Sequence, residues 1–286
     1  MEVLPDTDRQ KVLAEFLGYI FISIRRLKAE KALLLYGTGA NGKSVVYEVI
    51  YSLLGGYENV TGYSFDTLTN VEKGGAQRAV IADKLLNYGS EISSRLDPNM
   101  VKAMISGEPV EARPLYQAPF MIEDYAKFIF NCNELPKDTE QTHAFFRRFL
   151  IIPFDITIPE ERQDRQLPQR IIKTELSGIF NWVMQGLNRL LEHNAFTDCE
   201  AVRKQLDRYR QESDSVQMFL EDRGYVPSPE YSLLLKEVYI DYRSFCLEDG
   251  FKPVNKTNFK KRLEGIGILV EGRKNRIYLK QESNHF

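Results

Sequence analysis

The opening of the fold is encoded in residues 32–44, which read ALLLYGTGANGKS. The apolar run ALLLY has no polar alternation, which is typical of a strand buried on both faces of a sheet. GTGANGKS matches the phosphate-binding pattern G-x-x-x-x-G-K-[ST] at every position. A helical hydrophobic pattern follows as far as Gly55 and Gly56. A strand, a glycine-rich loop and a helix in this order predict the start of an α/β domain.

The loop at 37–44 contains the residue types that phosphate binding requires. Its glycines let backbone N–H groups approach a phosphate, and the helix that follows adds the positive end of its dipole. Lys43 can reach the β- and γ-phosphates, and the Ser44 hydroxyl can ligate Mg²⁺. We therefore predict a nucleoside triphosphate site with Mg²⁺, a structural glycine turn being the alternative. The loop residues expected to contact the nucleotide are Gly37, Thr38, Gly39, Ala40, Asn41, Gly42, Lys43 and Ser44.

Composition excludes several classes of protein. The 286 residues are 43% hydrophobic and 27% charged, which excludes disordered and fibrous chains. At roughly 150 residues per domain the length predicts about two domains. The net charge of −2 excludes a uniformly basic coat for nucleic acid but allows a local basic patch. Three widely spaced cysteines, no apolar run of membrane-spanning length and a polar amino terminus predict a cytoplasmic protein with no membrane partner.

Hydrophobic periodicity predicts the remaining elements of the first 200 residues. We expect a helix over 6–29 with a core face of Val12, Leu13, Phe16, Leu17 and Ile20. A second helix over 98–105 has Asp97 as its N-cap. A third, over 168–193, has an expected core face of Ile172, Leu176, Ile179, Trp182 and Leu190. Buried strands are predicted at 84–87, 127–131 and 149–154, and a hairpin at 110–120.

Polar residues follow two of these strands and are candidates for metal and water chemistry. Glu91 is expected to hold Mg²⁺ through water and to activate the attacking water. Asp83 is its alternative, but it precedes the strand, and ligands of parallel sheets bind at the carboxyl ends. Asn133 is expected to orient the water or sense the γ-phosphate. Its alternative, Asn131, is predicted to lie within the strand.

Arg147 and Arg148 precede the apolar strand FLIIPF. Burying two arginines is costly unless anions accompany them. One interpretation is an arginine finger that completes the nucleotide site of a neighbouring subunit. The other is a solvated basic pair or a salt bridge, and the sequence does not distinguish which arginine would act.

Taken in order, GTGANGKS, the strand before Glu91, SGEPVEARPLYQAPF, FIFNCNELP and FFRRFLIIPF resemble the helicase domain of phage and plasmid primase–helicases. These belong to the superfamily 3 helicases, within the AAA-type ATPases, and the resemblance covers about residues 5–280. It implies a P-loop AAA-type ATPase core with an N-terminal helical segment and a C-terminal winged-helix domain. It also implies a ring, typically a homo-hexamer, with ATP between subunits, that moves along single-stranded DNA and unwinds forked duplex.

The resemblance assigns roles to particular residues. Lys43 and Ser44 correspond to the P-loop pair, Glu91 to the Walker B acid and Asn133 to the sensor. The arginine pair, Arg147 and Arg148, matches the family's RR motif. Lys102 and Arg113 fall in the segment that carries the DNA-facing hairpin, so both are expected to face the channel. Ser90 replaces the first of the usual two acids at Walker B.

The expected domains are an N-terminal helical segment at 1–30, an ATPase domain at 31–200 and a winged-helix domain at 215–286. The chain starts almost at the helicase motifs, so we expect no primase activity, and a primase or polymerase domain or protein is an expected partner. Residues 252–280 carry nine Lys or Arg and two acidic residues. The residues expected to contact DNA phosphates there are Lys256, Lys260, Lys261, Arg273 and Lys274. The alternatives are a solvated basic face or a contact to the acidic ATPase domain.

Two other functions compete with a helicase. One is an ATP-regulated origin-binding or initiator protein without processive unwinding, in which ATP is a switch and the winged helix reads sequence. The other is a P-loop kinase or GTPase. A GTPase is disfavoured because the chain has no N-K-x-D motif. A small kinase is disfavoured because it would have no use for a basic winged-helix tail.

Overall fold

The computed structural model describes residues 2–90, 92, 96–136, 142–271 and 275–281. These residues form two compact units that meet in sequence between Arg208 and Tyr209. No helix in the described part of the chain is both long and apolar enough to cross a membrane.

The first unit alternates strands and helices. Its strands are β1 Ala32–Tyr36, β2 Val60–Thr61, β3 Leu86–Gly89, β4 Val110–Ala112, β5 Phe120–Ile122, β6 Lys127–Cys132 and β7 Phe149–Pro153. Its helices are α1 Thr7–Tyr19, α2 Lys43–Leu53, α3 Phe65–Thr69, α4 Gly75–Ile81, α5 Pro98–Ile105, α6 His143–Phe146, α7 Leu167–Thr174 and α8 Leu176–His193. Short 3-10 turns lie at Gly56–Glu58 and Glu160–Arg162, and α9, Glu200–Glu212, runs across the boundary between the units.

Five parallel strands form the central sheet in the order β2-β3-β6-β1-β7. All five residues of β1 match the prediction, and β3, β6 and β7 begin or end within two residues of it. The predicted α/β class with a parallel sheet is therefore confirmed. β4 and β5 form the predicted hairpin, separate from this sheet. The strand β2 was not predicted, since two residues carry no periodicity.

Two predicted helices are wrong in extent. The helix expected over 6–29 ends at Tyr19, although its predicted core face is buried. The helix expected over 168–193 is broken at Glu175 into α7 and α8. Of its predicted core face, Leu190 is fully buried and the other four residues are half-buried, whereas Val183 and Leu187 are buried and were missed.

The helices α1 and α8 pack with their backbones in contact. A Cβ at Gly18 would lie 2.7 Å from Cβ of Leu187. A larger residue at position 18 would therefore force the two helices apart. The fully buried Glu15 of α1 accepts hydrogen bonds from Nε of Arg189 at 2.6 Å and from the backbone N–H of Thr197 at 2.7 Å. A buried carboxylate is tolerated when it is paired and hydrogen-bonded in this way.

The second unit has its own aromatic core, formed by residues such as Phe219, Tyr242 and Phe259. Its helices are α10 Ser215–Asp222, α11 Leu235–Glu248 and α12 Lys256–Gly265. Its strands are β8 Tyr225–Pro227, β9 Leu233–Leu234, β10 Val270–Glu271, β11 Arg276–Ile277 and β12 Leu279–Gln281. The strands β10, β11 and β9 form one antiparallel sheet, and β8 and β12 another. Ile266 follows the end of α12 and is 42% exposed.

Candidate nucleotide-binding site

Two neighbouring strands, β1 and β6, bring the described site residues to one edge of the sheet. β1, β6 and β3 are adjacent and parallel, so the residues that follow them lie at the same carboxyl edge. The loop at 37–44 follows β1, and Asn133 follows β6. Glu91 follows β3 in sequence but lies outside the described residues. The alternative to it, Asp83, precedes β3 by three residues.

The amine of Lys43 lies at this edge and contacts three oxygen atoms of the site. Its Nζ donates to the carbonyl oxygen of Gly37, to Oδ1 of Asn41 at 3.1 Å and to Oδ1 of Asn133 at 3.4 Å. Lys43 is 6% exposed, and its burial lowers the pKa of the amine. An ammonium group surrounded by three oxygen atoms of this kind is suited to exchange them for phosphate oxygens.

The loop is held from inside by Asn41. Its Nδ2 donates to the carbonyl oxygen of Thr38 at 2.6 Å and to that of Phe154, after β7, at 3.3 Å. The backbone N–H of Gly37 donates to the carbonyl oxygen of Cys132 at the end of β6, at 3.0 Å. The loop is therefore tied to both strands that flank β1.

The outer side of the loop is open. Thr38, Gly39, Ala40 and Ser44 are exposed. Gly42 adopts a left-handed conformation, with φ +86°, immediately before α2 begins at Lys43. The residues present fit a triphosphate with Mg²⁺, because exposed backbone amides and one hydroxyl at a helix start are the groups that such a ligand needs. Among the described residues no group of three His, Cys, Asp or Glu could hold a metal ion without the phosphates.

Asn131 lies within β6, as we predicted for this alternative. Its Oδ1 accepts a hydrogen bond from the hydroxyl of Tyr88 in β3 at 3.0 Å. Of the two asparagines, Asn133 is the one whose side chain meets Lys43.

The two arginines have different surroundings. Arg148 is 7% exposed, and its guanidinium donates to Oγ of Ser106 at 2.8 and 3.1 Å and to the carbonyl oxygen of Ala144. The side chain of Arg147 is 49% exposed and pairs with Oε2 of Glu30 at 3.0 Å. Both precede β7, so they lie at the amino edge of the sheet, opposite the loop at 37–44.

The predicted DNA contacts of the first unit are not equivalent. Lys102 lies on α5, before the hairpin, and is half-buried. Arg113 is exposed and is the first residue after β4. The hairpin tip also presents Leu115 and Tyr116, which are 73% and 104% exposed. Neither residue was among the predicted contacts, because the sequence predicts a hairpin at 110–120 but does not show which side chains its tip leaves exposed.

The hairpin is anchored by a buried arginine of α4. Arg78 donates from Nε to the carbonyl oxygen of Glu111 in β4 at 2.6 Å, and from Nη1 to that of Leu68 at 2.9 Å. The backbone N–H of Arg113 donates to the carbonyl oxygen of Gly75 at 2.9 Å. The base of the hairpin is therefore fixed to α4, while its tip is exposed.

In the second unit, α12 has one apolar and one basic face. Phe259 and Leu263 are buried, whereas Lys256 and Lys261 are exposed. Lys260 is half-buried and lies 3.6 Å from Oε1 of Glu264. Arg273 and Lys274 lie outside the described residues.

Residues 35–148 match the model of a family described as "Family of unknown function (DUF5906)". A stretch of 129 residues, 44% of this chain, is 26% identical to "Putative helicase L207/L206" of Acanthamoeba polyphaga mimivirus. That match spans 13% of the length of the mimivirus protein. This chain is therefore similar over less than half its length to a helicase-named protein.

Among solved structures, the chain resembles the apo A form of the NrS-1 C-terminal region with a TM-score of 0.51. The two are 15% identical, and the match covers 94% of this chain and 69% of that one. The X-ray structure of JCV helicase matches with a TM-score of 0.39 and 13% identity, over 77% of this chain and 61% of that one. The first likeness supports a shared mixed α/β fold.

We expect Gly37→Ala to damage the site through a steric clash. A Cβ there would lie 2.5 Å from Nδ2 of Asn41 and closer still to the carbonyl oxygen of Phe154. The variant should lose about 1–3 kcal/mol in free energy of unfolding, measured by urea titration. Gly39→Ala is the matched control, because its Cβ would meet no atom within 4 Å. Equal stability of the two variants would contradict the described loop geometry.

Proposed function

We propose that this chain is an ATP-dependent DNA helicase of the superfamily 3 type, acting in replication of a phage, plasmid or similar mobile element. In this proposal six copies form a ring with ATP between subunits, which moves along single-stranded DNA and opens a fork. The observation that carries it is the contact between Lys43, in a P-loop, and Asn133, after the neighbouring parallel strand. Similarity to a helicase-named protein supports it. Residues 1–30, 31–200 and 215–286 are proposed as the helical segment, the ATPase domain and a winged-helix domain.

The proposed chemistry uses the carboxyl edge of the sheet. Lys43 exchanges the carbonyl oxygen of Gly37 for phosphate oxygens and neutralises charge that develops on the γ-phosphate. The Ser44 hydroxyl would hold Mg²⁺, with Glu91 acting through water, and the bound ion would supply further charge neutralisation. Glu91 accepts a proton from the attacking water, and Asn133 orients that water.

The position of the arginines supports a site shared between subunits. β7 and β1 are parallel neighbours in which Phe149 is paired with Ala32, so Arg147 stands one strand length from the P-loop of its own chain. Five residues at about 3.3 Å each give about 17 Å, more than an arginine side chain can span. Arg147 is exposed and could serve a neighbouring subunit, whereas Arg148 is held by Ser106. We therefore assign the finger role to Arg147.

Two surfaces are proposed to contact DNA. At the hairpin tip, Tyr116 offers an aromatic face for base stacking and Arg113 a charge for phosphate. On α12, the basic face of Lys256, Lys260 and Lys261 offers contacts to phosphates that position DNA without reading sequence. Arg273 and Lys274 belong to the same proposed contact by their sequence position. Lys102, on α5, remains a proposed DNA contact by its sequence position.

Lys43→Ala is expected to abolish ATP hydrolysis and unwinding. Removing the amine takes away the charge that faces the phosphates, so hydrolysis stimulated by single-stranded DNA should fall at least about 100-fold. Strand displacement on a forked duplex measures the second loss. Lys173→Ala, at an exposed position of α7, should leave both unchanged. A wild-type chain that binds one duplex sequence tightly without ATP and never unwinds would instead indicate an initiator protein.

Arg147→Ala and Arg148→Ala should have different effects, the first on ATP hydrolysis and the second on stability. Loss of Arg148 removes a buried guanidinium and leaves the Ser106 hydroxyl without this donor, so the thermal unfolding temperature should fall. Loss of Arg147 should leave the thermal unfolding temperature near the wild-type value and abolish ATP hydrolysis. Mixing Arg147→Ala with Lys43→Ala subunits should restore part of the activity, because some interfaces then hold both intact groups. No recovery in rings proven to be mixed would contradict a shared site.

The triple variant Lys256→Ala, Lys260→Ala and Lys261→Ala should weaken DNA binding independently of sequence. Three lost phosphate contacts should lower the magnitude of the slope of log K against log salt by about 2–3. Fluorescence anisotropy with a labelled forked duplex at several salt concentrations measures this slope. Thr257→Ala, an uncharged change on the exposed side of α12, is the control. An unchanged slope would exclude α12 from the DNA contact.

A further inference from the structure

Tyr88 of β3 contacts the helix that begins at Lys43 and the strand that precedes Asn133. Its ring is buried and packs edge-on against Tyr47 of α2, with centroids 4.9 Å apart and planes at 75°. Its hydroxyl donates to Oδ1 of Asn131 in β6 at 3.0 Å. Tyr47 comes four residues after Lys43, and Asn131 comes two residues before Asn133. One side chain therefore contacts both the helix that begins at the amine and the strand that leads to the amide.

The hydrogen bond is located where the backbone pairing of β3 with β6 stops. The last pair in that ladder is Gly89 with Phe130, whereas Asn131 is paired on its other side with Leu35 of β1. Past the ladder, the side-chain bond from Tyr88 continues the contact between the two strands. It does so next to the turn that leads to Asn133.

We infer that Tyr88 is a positioning residue for the proposed ATPase reaction, which holds Asn131, and through it Asn133, opposite Lys43. The inference rests on the proposed function. The contact between Asn133 and Lys43 is already 3.4 Å long, so a small displacement of the strand end would separate the two groups. Misplacement of a reacting arrangement by about 1 Å can reduce a rate about 100-fold.

A purely structural role for Tyr88 is the competing explanation, since its ring belongs to the main core of the first unit. Tyr88→Phe separates the two, because it keeps the ring and removes only the hydroxyl. A packing role depends on the ring, whereas a positioning role depends on the hydrogen bond to Asn131.

The experiment measures kcat for ATP hydrolysis and, separately, the affinity for a fluorescent ATP analogue. Tyr88→Phe should lower kcat about tenfold or more and change the affinity less than about twofold, because the P-loop itself is intact. Asn131→Ala should have a similar effect on kcat. The double variant should be no worse than either single one, because both remove the same bond.

Tyr125→Phe is the matched control. Tyr125 is another buried tyrosine of the first unit, and its hydroxyl donates to the carbonyl oxygens of Glu108 at 2.9 Å and Met104 at 3.2 Å. It precedes β6 at the amino end, away from Asn133. Loss of this hydroxyl should lower the thermal unfolding temperature, as we also expect for Tyr88→Phe, while leaving kcat at the wild-type value.

Two results would overturn the inference while the proposed function stands. One is a wild-type kcat in Tyr88→Phe, and the other is an equal loss of kcat in Tyr125→Phe. The proposed function is tested separately, by measuring ATP hydrolysis of the wild-type chain before any variant is compared. If that chain does not hydrolyse ATP, the function and the inference both fall.

Discussion

The parallel pairing of β1 with β6 on one side and β7 on the other is the constraint from which the candidate site follows. It places the end of β1, where the chain turns into GTGANGKS, beside the end of β6. The loop is then held to both neighbours, through Gly37 to Cys132 and through Asn41 to Phe154. The contact of Lys43 with Asn133 is a consequence of this register. Antiparallel pairing would send Asn133 to the opposite edge.

The Arg and Lys side chains discussed above differ in their burial and in their hydrogen-bond partners. Arg148 and Arg78 are buried and bound to oxygen atoms of the protein, so their charge stabilises local structure. Lys43 is equally buried, but it lies beside loop residues that are exposed, Thr38, Gly39, Ala40 and Ser44. Arg147, Lys256 and Lys261 are exposed. Burial and available partners therefore separate structural cations from candidate binding groups.

Several elements could be predicted from short-range patterns. The apolar run of β1, the glycine loop and the Asp97 cap of α5 each depend on neighbouring residues, and the structure agrees with them closely. Predictions that needed tertiary information were less accurate. The first helix ends at Tyr19 although helical residues continue, and the break at Glu175 has no glycine or proline to mark it. Such ends are decided by packing against other elements.

By itself, the sequence determined that a P-loop follows a buried strand, that polar residues follow the neighbouring strands, and that the last segment is basic. These are local properties of residue type and spacing. The tertiary structure alone decided that the side chain of Asn133, already preferred from the sequence, contacts the amine of Lys43. It also decided that Arg147 rather than Arg148 is exposed, and that Tyr88 contacts both α2 and β6. Those outcomes depend on strand order and register, which bring together residues far apart in the chain.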